Sequence, residues 1–189
     1  MEIEEFKLKD GRIVNIKRLT IEDYDADNGY EYVHDWLNKV NKFLGYEFEK
    51  KDIERDKEEW YKYLSNESEI AIGALYNKKI IGVSSLKTNF RIKKQRHIGS
   101  WGIAIHPEFH NQGLGTKLLT IIEGLAKVMG LKKLIADYYD GNKSAEILYL
   151  KKMNYEVEGR QKHVILLKDG TYTDRVLIGK IIDDSLKEK

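Results

Sequence analysis

Alternation of apolar and polar residues predicts most of the β-structure in this chain. A period of two places successive side chains on opposite faces of a sheet, and eight segments show alternating or continuous apolar runs of strand length. Turn residues at Asp10-Gly11, Asn77-Lys78 and Asp169-Gly170 separate three pairs of these segments and predict hairpins. The predicted strands are residues 3–8, 12–19, 70–76, 79–88, 97–105, 133–139, 161–168 and 171–181.

Apolar residues at helical spacing fill much of the remaining chain. Residues 21–43 and 50–65 carry an apolar stripe among charges, which predicts two amphipathic helices. A third helix is predicted from Gly113 to Gly130, whose second glycine is a natural carboxyl-terminal cap. A fourth is predicted from Asn142 to about Met153.

The order of these elements predicts the fold class. Strands, two helices, three strands, a helix, a strand, a helix and a terminal hairpin indicate an α/β protein with an α+β type of mixed sheet. That sheet is expected to be mostly antiparallel, with one parallel crossover around the 116–129 helix and about four flanking helices. Without a low-complexity linker or a repeat, residues 1–189 are expected to form a single domain.

Composition narrows the partners and the compartment. Lys and Arg total 33 against 31 Asp and Glu, so no strong field attracts nucleic acid or a membrane surface. The chain has no cysteine, which excludes disulfides, thiolate nucleophiles and cysteine-ligated zinc. The charged amino terminus resembles neither a signal nor a transit peptide, and no apolar run approaches the length of a bilayer span. We therefore expect a cytoplasmic protein.

One stretch points to chemistry. In IAIHPEFHNQGLGTKLL, Ile103 to Leu119, a predicted strand ends before a glycine-containing loop that leads into a helix. Such a loop directs free backbone N–H groups to one point at a helix N-terminus, which suits an anion such as a pyrophosphate. The Walker motif is absent, and Leu118 stands where the dinucleotide fingerprint requires a third glycine. The alternative is that Gly113 and Gly115 only form a tight loop.

Two segments carry a family resemblance. HNQGLG, residues 110–115, resembles the signature of the GNAT superfamily of acetyl-CoA-dependent N-acetyltransferases. That signature consists of Arg or Gln, two residues, Gly, one residue, and then Gly or Ala. NKSAEILYLKKMNYEVEG, Asn142 to Gly159, is similar to the next two elements of that family. The chain departs from the pattern at His110, where Arg or Gln is usual, and at Asn154-Tyr155, where Gly-Phe is usual.

The resemblance implies a GNAT-type fold and an enzymatic function. Acetyl-CoA would be the co-substrate, and the acetyl group would move to a primary amine by direct attack through a tetrahedral intermediate. The acceptor would be a small amine, an amino acid or a protein or peptide N-terminus. Two other classes stay open, namely an acyl-CoA-binding sensor without catalysis and an unrelated nucleotide-binding module that uses the glycine loop.

The resemblance also assigns residues by position. Three strand residues would pair with the pantetheine arm, a loop of six would wrap the pyrophosphate, Asn142 would contact the cofactor arm and Tyr149 would lie near the thioester sulfur. The strand residues are Ile103, Ala104 and Ile105, and the loop residues are Asn111, Gln112, Gly113, Leu114, Gly115 and Thr116. From the residues alone, the alternative role of Asn142 is a helix cap, which it could combine with cofactor contact. The alternative role of Tyr149 is a core aromatic residue.

The general base is the least defined part of the predicted site. Ser100 stands where many relatives place a glutamate, and a serine cannot replace a carboxylate as a base. Asp137 is the first candidate because it lies five residues before Asn142, where some relatives carry a basic glutamate. Its alternative role is a carboxylate at a strand end that holds a neighbouring group. His97 and Glu108 are the next candidates.

Four further features have ordinary structural interpretations. His106 and His110 lie in a loop without the zinc motif of a helix, so no metal is predicted. The basic run of residues 91–97 is interpreted as a solvated hairpin. The apolar run of residues 164–167 could support a homodimer, although an internal hairpin explains it equally well. Four aromatic residues at helical spacing are interpreted as part of the core, and the alternative is that they contact the acceptor substrate. They are Tyr24, Tyr30, Tyr32 and Trp36.

Overall fold

The computed structural model describes residues 4–45, 49–88 and 92–186. Its strands are β1 (Glu4–Lys7), β2 (Ile13–Arg18), β3 (Glu69–Tyr76), β4 (Lys79–Thr88), β5 (Ile98–Ile105), β6 (Lys133–Tyr139), β7 (Glu156–Leu166) and β8 (Tyr172–Ile181). Its α-helices are α1 (Ile21–Asp25), α2 (Gly29–Val40), α3 (Ile53–Leu64), α4 (Leu114–Val128) and α5 (Lys143–Glu146), which continues as a π-helix over Ile147–Lys152. Within the described ranges, no helix is both long and apolar enough to cross a membrane.

All strands join one mixed sheet. Their order is β1-β2-β3-β4-β5-β6-β8-β7, and β5–β6 is the parallel pair among the described strands. The predicted class, a mostly antiparallel sheet with one parallel crossover, is therefore confirmed. The parallel pairing covers only Ile98–Ser100 opposite Lys133–Ile135. Beyond Ser100 the two strands form no further pairs in the described structure, and a cleft lies between them.

Helix α4 closes the larger core on one face of the sheet. Its apolar stripe repeats at helical spacing, so that Leu118, Leu119 and Ile122 are completely buried. They pack in one cluster with strand residues such as Ile16 and Leu134. Burying a leucine or isoleucine side chain contributes about 1.5–3 kcal/mol. This helix, which also begins at the glycine loop, is thus fixed firmly against the sheet.

Helices α2 and α3 cover the opposite face with a second core. Tyr24, Tyr30 and Trp36 are buried there, and the Trp36 indole N–H donates to the Ile80 carbonyl at 3.1 Å. Tyr32 is half-buried and stacks on His106, with ring centroids 6.1 Å apart. The core interpretation of these aromatics is confirmed for the three buried side chains, and none of the four lines the cleft between β5 and β6.

The structure departs from the predicted elements in the 21–43 helix, in β7 and in the 142–153 helix, most of which is π-helical. The predicted 21–43 helix is interrupted where Asp27 and Asn28 take φ values of 50° and 55°, a left-handed conformation that Asp and Asn tolerate better than most residues. Strand β7 begins at Glu156 instead of residue 161, because residues 156–160 are mostly exposed and charged and Val157 is their one large apolar residue. The register of β7 against β8 then shifts between Gln161 and Ile165.

Replacing the glycine before α4 and a glycine inside it is expected to change the stability of the protein in opposite directions. Gly113 has a φ of 87°, where a Cβ is strained, whereas Gly124 lies inside the helix with open space around its Cα. Gly113→Ala is expected to lower the free energy of unfolding by about 1 kcal/mol, and Gly124→Ala to raise it by about 0.5–1 kcal/mol. Urea unfolding of both variants measures the difference. Equal shifts of the same sign would contradict the assigned backbone conformation of Gly113.

Candidate active site

The cleft between β5 and β6 has a volume of about 920 Å³. Its walls come from the end of β5, the loop after it, the first turn of α4, the end of β6, the helix α5 and its π-helical continuation, and the segment after α2. The principal lining residues are Val40, Lys42, Phe43, Leu44, Gly45, Trp101, Ile103, Ala104, Ile105, Asn111, Gly113, Gly115, Thr116, Asp137, Tyr138, Tyr139, Asn142, Leu148, Tyr149, Lys152 and Arg175.

Strand β5 presents unpaired backbone groups to this cleft. The His106 N–H donates to the Ile81 carbonyl on β4 at 2.8 Å, and backbone groups along a strand point alternately to its two sides. The N–H and C=O groups of Ile103 and Ile105 therefore point to the cleft, whereas those of Ala104 point to β4. The Ile105 carbonyl is already occupied, because it lies 2.8 Å from the His110 Nε2. The remaining groups can pair with an extended ligand as a neighbouring strand would.

The glycine loop directs a second set of donors to the same cleft. The first intrahelical bond of α4 runs from the Lys117 N–H to the Gly113 carbonyl at 3.1 Å. The N–H groups of residues 113–116 therefore have no acceptor within the helix, and Gly113 has no side chain to cap them. Gly113, Gly115 and Thr116 line the cleft. The helix dipole adds partial positive charge, so this end of the cleft suits an anion.

Glycine is required at the two positions of the loop for different structural reasons. Gly113 provides the left-handed backbone that starts the helix. A Cβ at Gly115 would lie 2.8 Å from the Leu148 Cδ2, so this glycine allows α4 to approach the π-helix closely. The Gln112 side chain is turned to the β1–β2 connection, where its Oε1 accepts from the Asp10 N–H at 3.1 Å, and the Leu114 side chain is buried in the core. Gln112 and Leu114 could reach a ligand only through their backbone.

The π-helix holds Tyr149 at the bottom of the cleft. A bond from the Met153 N–H to the Leu148 carbonyl at 3.0 Å closes a wide turn of five residues, and a bond from the Tyr155 N–H to the Tyr149 carbonyl at 2.9 Å ends the helix. The Tyr149 ring packs edge-on against Trp101, with centroids 4.8 Å apart. Such π-helical turns often occur at functional sites because the additional residue redirects a side chain.

Burial determines the protonation of Tyr149. The side chain is 8% exposed, and burial raises its pKa because the phenolate would lose its hydration; the negative charge of Asp137 acts in the same direction. A neutral phenol is therefore the form present in neutral solution. Its hydroxyl makes no hydrogen bond within the described part of the chain, which leaves the O–H available to a ligand in the cleft.

Asn142 is a helix cap that also lines the cleft. Its side-chain Oδ1 accepts from the Ala145 N–H at 3.1 Å, as Asn does at helix N-termini. The capping interpretation is thus confirmed. The capping bond uses only the oxygen of the amide, so the Nδ2 donor is not used by the cap.

Charged residues lie on the face of the sheet opposite α4. Asp137 and Tyr139 alternate on β6 with the buried Tyr138, and Arg175 lies opposite Tyr139 on β8. The Arg175 Nε is 3.6 Å from the Asp137 Oδ2. Gly45 approaches this region closely, since a Cβ there would lie 3.5 Å from the Tyr139 hydroxyl. We call this part of the cleft the acceptor side, and the part at Gly113 and Thr116 the anion side.

The structure brings some of the predicted residues together and separates others. Asp137, Asn142 and Tyr149 line one cleft with the glycine loop, while His97, Ser100 and Glu108 do not line it. Arg175 was missed by sequence reasoning, although its place in the alternating run of β8 puts it on the same face as Leu177. Residues 40–45 were also missed, because their approach depends on how α2 packs.

The structure also locates the histidines, the basic run and the apolar run that the sequence analysis considered. His106 stacks on Tyr32 and its Nδ1 accepts from the Glu108 N–H at 3.3 Å. Across the residues that the structure describes, no three or more His, Cys, Asp or Glu side chains are grouped as a metal site requires. Residues 92–96 of the basic run are exposed in the β4–β5 connection, and Arg91 lies outside the described residues. Val164 and Leu166 are exposed on the edge strand β7.

Comparison with known proteins identifies the family. The model of the acetyltransferase (GNAT) family matches residues 30–155, and the chain belongs to this family. Family membership makes it an acetyl-CoA-dependent acetyltransferase. No curated protein matches the chain.

Solved structures agree with the fold. A GNAT-family acetyltransferase from Streptococcus pneumoniae is 24% identical with a TM-score of 0.71, and the match covers 90% of this chain and 99% of that one. A phosphinothricin acetyltransferase from Sinorhizobium meliloti, solved with AcCoA, is 17% identical with a TM-score of 0.76 over 93% and 92% of the two chains. A ribosomal-protein-alanine N-acetyltransferase from Brucella melitensis is 18% identical with a TM-score of 0.72 over 88% and 98%.

Proposed function

We propose that this protein is an N-acetyltransferase that moves the acetyl group of acetyl-CoA to a primary amine. The observation that carries the proposal is the continuity of the cleft, which extends from the free N–H groups at the start of α4 to the carboxylate of Asp137. A thioester bound at the anion side and an amine at the acceptor side would meet where β5 and β6 no longer pair. Relatives named for a ribosomal-protein alanine and for phosphinothricin support an amine acceptor.

The anion side would hold the coenzyme. We infer that the backbone N–H groups of residues 113–116, with the adjoining Asn111 and Gln112, wrap the pyrophosphate. The pantetheine arm would extend along β5, where Ile103 and Ile105 turn backbone groups to the cleft, and beside Ala104. The Asn142 Nδ2 would donate to the same arm. Because main-chain amides provide most of these contacts, His110 in place of the usual Arg or Gln removes only one side-chain contact.

The acceptor side would bind the amine and remove its proton. A primary amine is almost wholly protonated at neutral pH and must lose a proton before it attacks the thioester carbonyl. Asp137 would accept that proton, directly or through water. The attack gives a tetrahedral oxyanion, which backbone N–H groups on β5 beyond Ser100 would stabilise. Tyr149, held neutral by its raised pKa, would then donate a proton to the departing thiolate.

The substitution Tyr149→Phe tests whether Tyr149 acts as the general acid. The substitution keeps the ring that packs on Trp101 and removes only the hydroxyl, so the unfolding temperature is expected to stay unchanged. We expect kcat to fall by about 10- to 100-fold, at or below the lower limit for general acid catalysis, because a thiolate leaves readily. Release of free thiol from acetyl-CoA, measured with a panel of amines, amino acids and peptides, gives kcat.

Tyr155→Phe is the matched control for Tyr149→Phe. Tyr155 is also buried beside Trp101, but it does not line the cleft. Loss of its hydroxyl is expected to leave kcat within about 3-fold of wild type, as for a side chain with no part in proton transfer. Equal rates for all three proteins would contradict the role of Tyr149. Acetyl-CoA binding without thiol release from any acceptor would favour the sensor alternative.

Asn142 variants separate capping from coenzyme binding. Asn142→Ser keeps a capping oxygen and is expected to unfold within about 0.5 kcal/mol of wild type, whereas Asn142→Ala is expected to lose about 1 kcal/mol. Both lack the Nδ2 donor, so both are expected to weaken acetyl-CoA binding by about 3- to 10-fold. Isothermal titration calorimetry with acetyl-CoA measures this loss. Wild-type affinity in the serine variant would mean that Asn142 is only a cap.

A further inference from the structure

An oppositely charged pair occupies the acceptor side of the cleft. On the antiparallel β6–β8 ladder Asp137 lies opposite Leu177, and Arg175 is two residues away on the same face. Such diagonal neighbours are within reach of long side chains. Both residues line the cleft, on the face of the sheet opposite the buried Tyr138 and Val176. A ligand that enters this side therefore meets a carboxylate and a guanidinium next to each other.

The pair is incompletely satisfied in the protein itself. Its Nε–Oδ2 distance of 3.6 Å is too long for a hydrogen bond. The Arg175 Nε is shielded from solvent and has no hydrogen-bond partner among the residues that the structure describes. By contrast, the nearby Arg160 donates to Asp140 at 2.7 Å and to Asp174 at 3.2 Å. The Arg175 side chain is 39% exposed and lines the cleft, so the rest of its guanidinium is accessible to a ligand carboxylate even though the Nε is not.

We propose that Arg175 binds the carboxylate of the acceptor, and that the acceptor is a free α-amino acid whose amine lies against Asp137. This inference rests on the proposed function. In an α-amino acid a single carbon separates the ammonium from the carboxylate, which matches two opposite charges that are adjacent on the protein. The ammonium of the amino acid would lie against the Asp137 carboxylate, and its carboxylate against the Arg175 guanidinium. A peptide N-terminus presents a neutral amide at the same position and cannot form the charged pair with Arg175.

Other anions are less suited to Arg175. The phosphates of the coenzyme are assigned to the start of α4, which packs on the opposite face of the sheet. Lys42 also lines the cleft, but it is exposed and its ammonium lies over the Phe43 ring. An exposed lysine adds a solvated point charge, whereas a guanidinium binds a carboxylate through two parallel N–H donors. Arg175 is therefore the specificity-determining cation.

The reaction leaves the bound carboxylate unchanged. The ammonium of the amino acid gives one proton to Asp137 or to water, and the free amine nitrogen attacks the thioester carbon. A carbon–nitrogen bond forms and the carbon–sulfur bond breaks. The nitrogen releases its second proton, Tyr149 passes one proton to the departing thiolate and is reprotonated, and one proton is released overall. The products are an N-acetyl amino acid and free CoA.

Matched acceptors and variants test this assignment. Thiol release is measured for a panel of L-amino acids, for their primary amides and for the corresponding amines without the carboxyl group. We expect wild-type kcat/KM to favour the acids, and Arg175→Gln to lower kcat/KM for the acids by about 10- to 100-fold, the range for a hydrogen bond to a charged group. For the amides the change is expected to stay below about 3-fold. Arg175→Lys is expected to recover part of the loss, because it keeps the charge but not the planar donors.

Lys151→Gln controls for a diffuse positive field, because Lys151 is exposed on the π-helix beside the cleft and does not line it. It is expected to change kcat/KM for the acids by less than about 3-fold. Unfolding temperature and the Kd of free CoA are expected to match wild type in all variants, which separates a folding defect from lost recognition. If amides or peptides are acetylated as well as acids, or if Arg175→Gln slows all acceptors equally, the inference is overturned while acetyl transfer stands. Absence of thiol release with every acceptor would instead contradict the proposed function.

Discussion

The short parallel pairing of β5 and β6 is the constraint on which the site depends. The two strands pair over three residues each and then separate, so that backbone groups of Ile103 and Ile105 are left without a strand partner. The same separation places the ends of both strands at one opening. Because α4 follows β5 and α5 follows β6, both helix N-termini also face this opening. Donors, a buried phenol and a carboxylate are thus gathered in one cleft by the topology of the sheet.

The two faces of the sheet divide the chemistry. The core around α4 is apolar and rigid, and it fixes the glycine loop and the π-helix against each other through the close approach of Gly115 to Leu148. On the opposite face the second core covers β3 and β4, while the surface of β6 and β8 remains open to the cleft at Asp137 and Arg175. A thioester and an amine can therefore approach the same point from opposite sides. This arrangement keeps the coenzyme phosphates away from the charges that we assign to the acceptor.

Sequence reasoning succeeded where the signal was local. The alternation of β2 to β6, the glycine loop and the apolar stripe of α4 each depend on neighbouring residues, and the fold class followed from them. The family followed from the resemblance of residues 110–115 and 142–159 to the GNAT pattern. It failed where a distant contact decides the conformation. The π-helical turn around Tyr149 and the position of Arg175 depend on contacts between elements that are far apart in the chain. The double role of Asn142 was open in the sequence, and only its bond to Ala145 resolves the capping part.

The central claim is that free backbone amides at the end of β5 and the start of α4 bind the coenzyme. Amide hydrogen exchange, measured by NMR with and without acetyl-CoA, tests it most directly because it reports on each N–H separately. The account predicts that acetyl-CoA slows exchange at Ile103, Ile105 and residues 113–116, and leaves the exposed surface of α3 unchanged. Unaltered exchange at these amides with saturating acetyl-CoA, or protection confined to another face of the sheet, would contradict it.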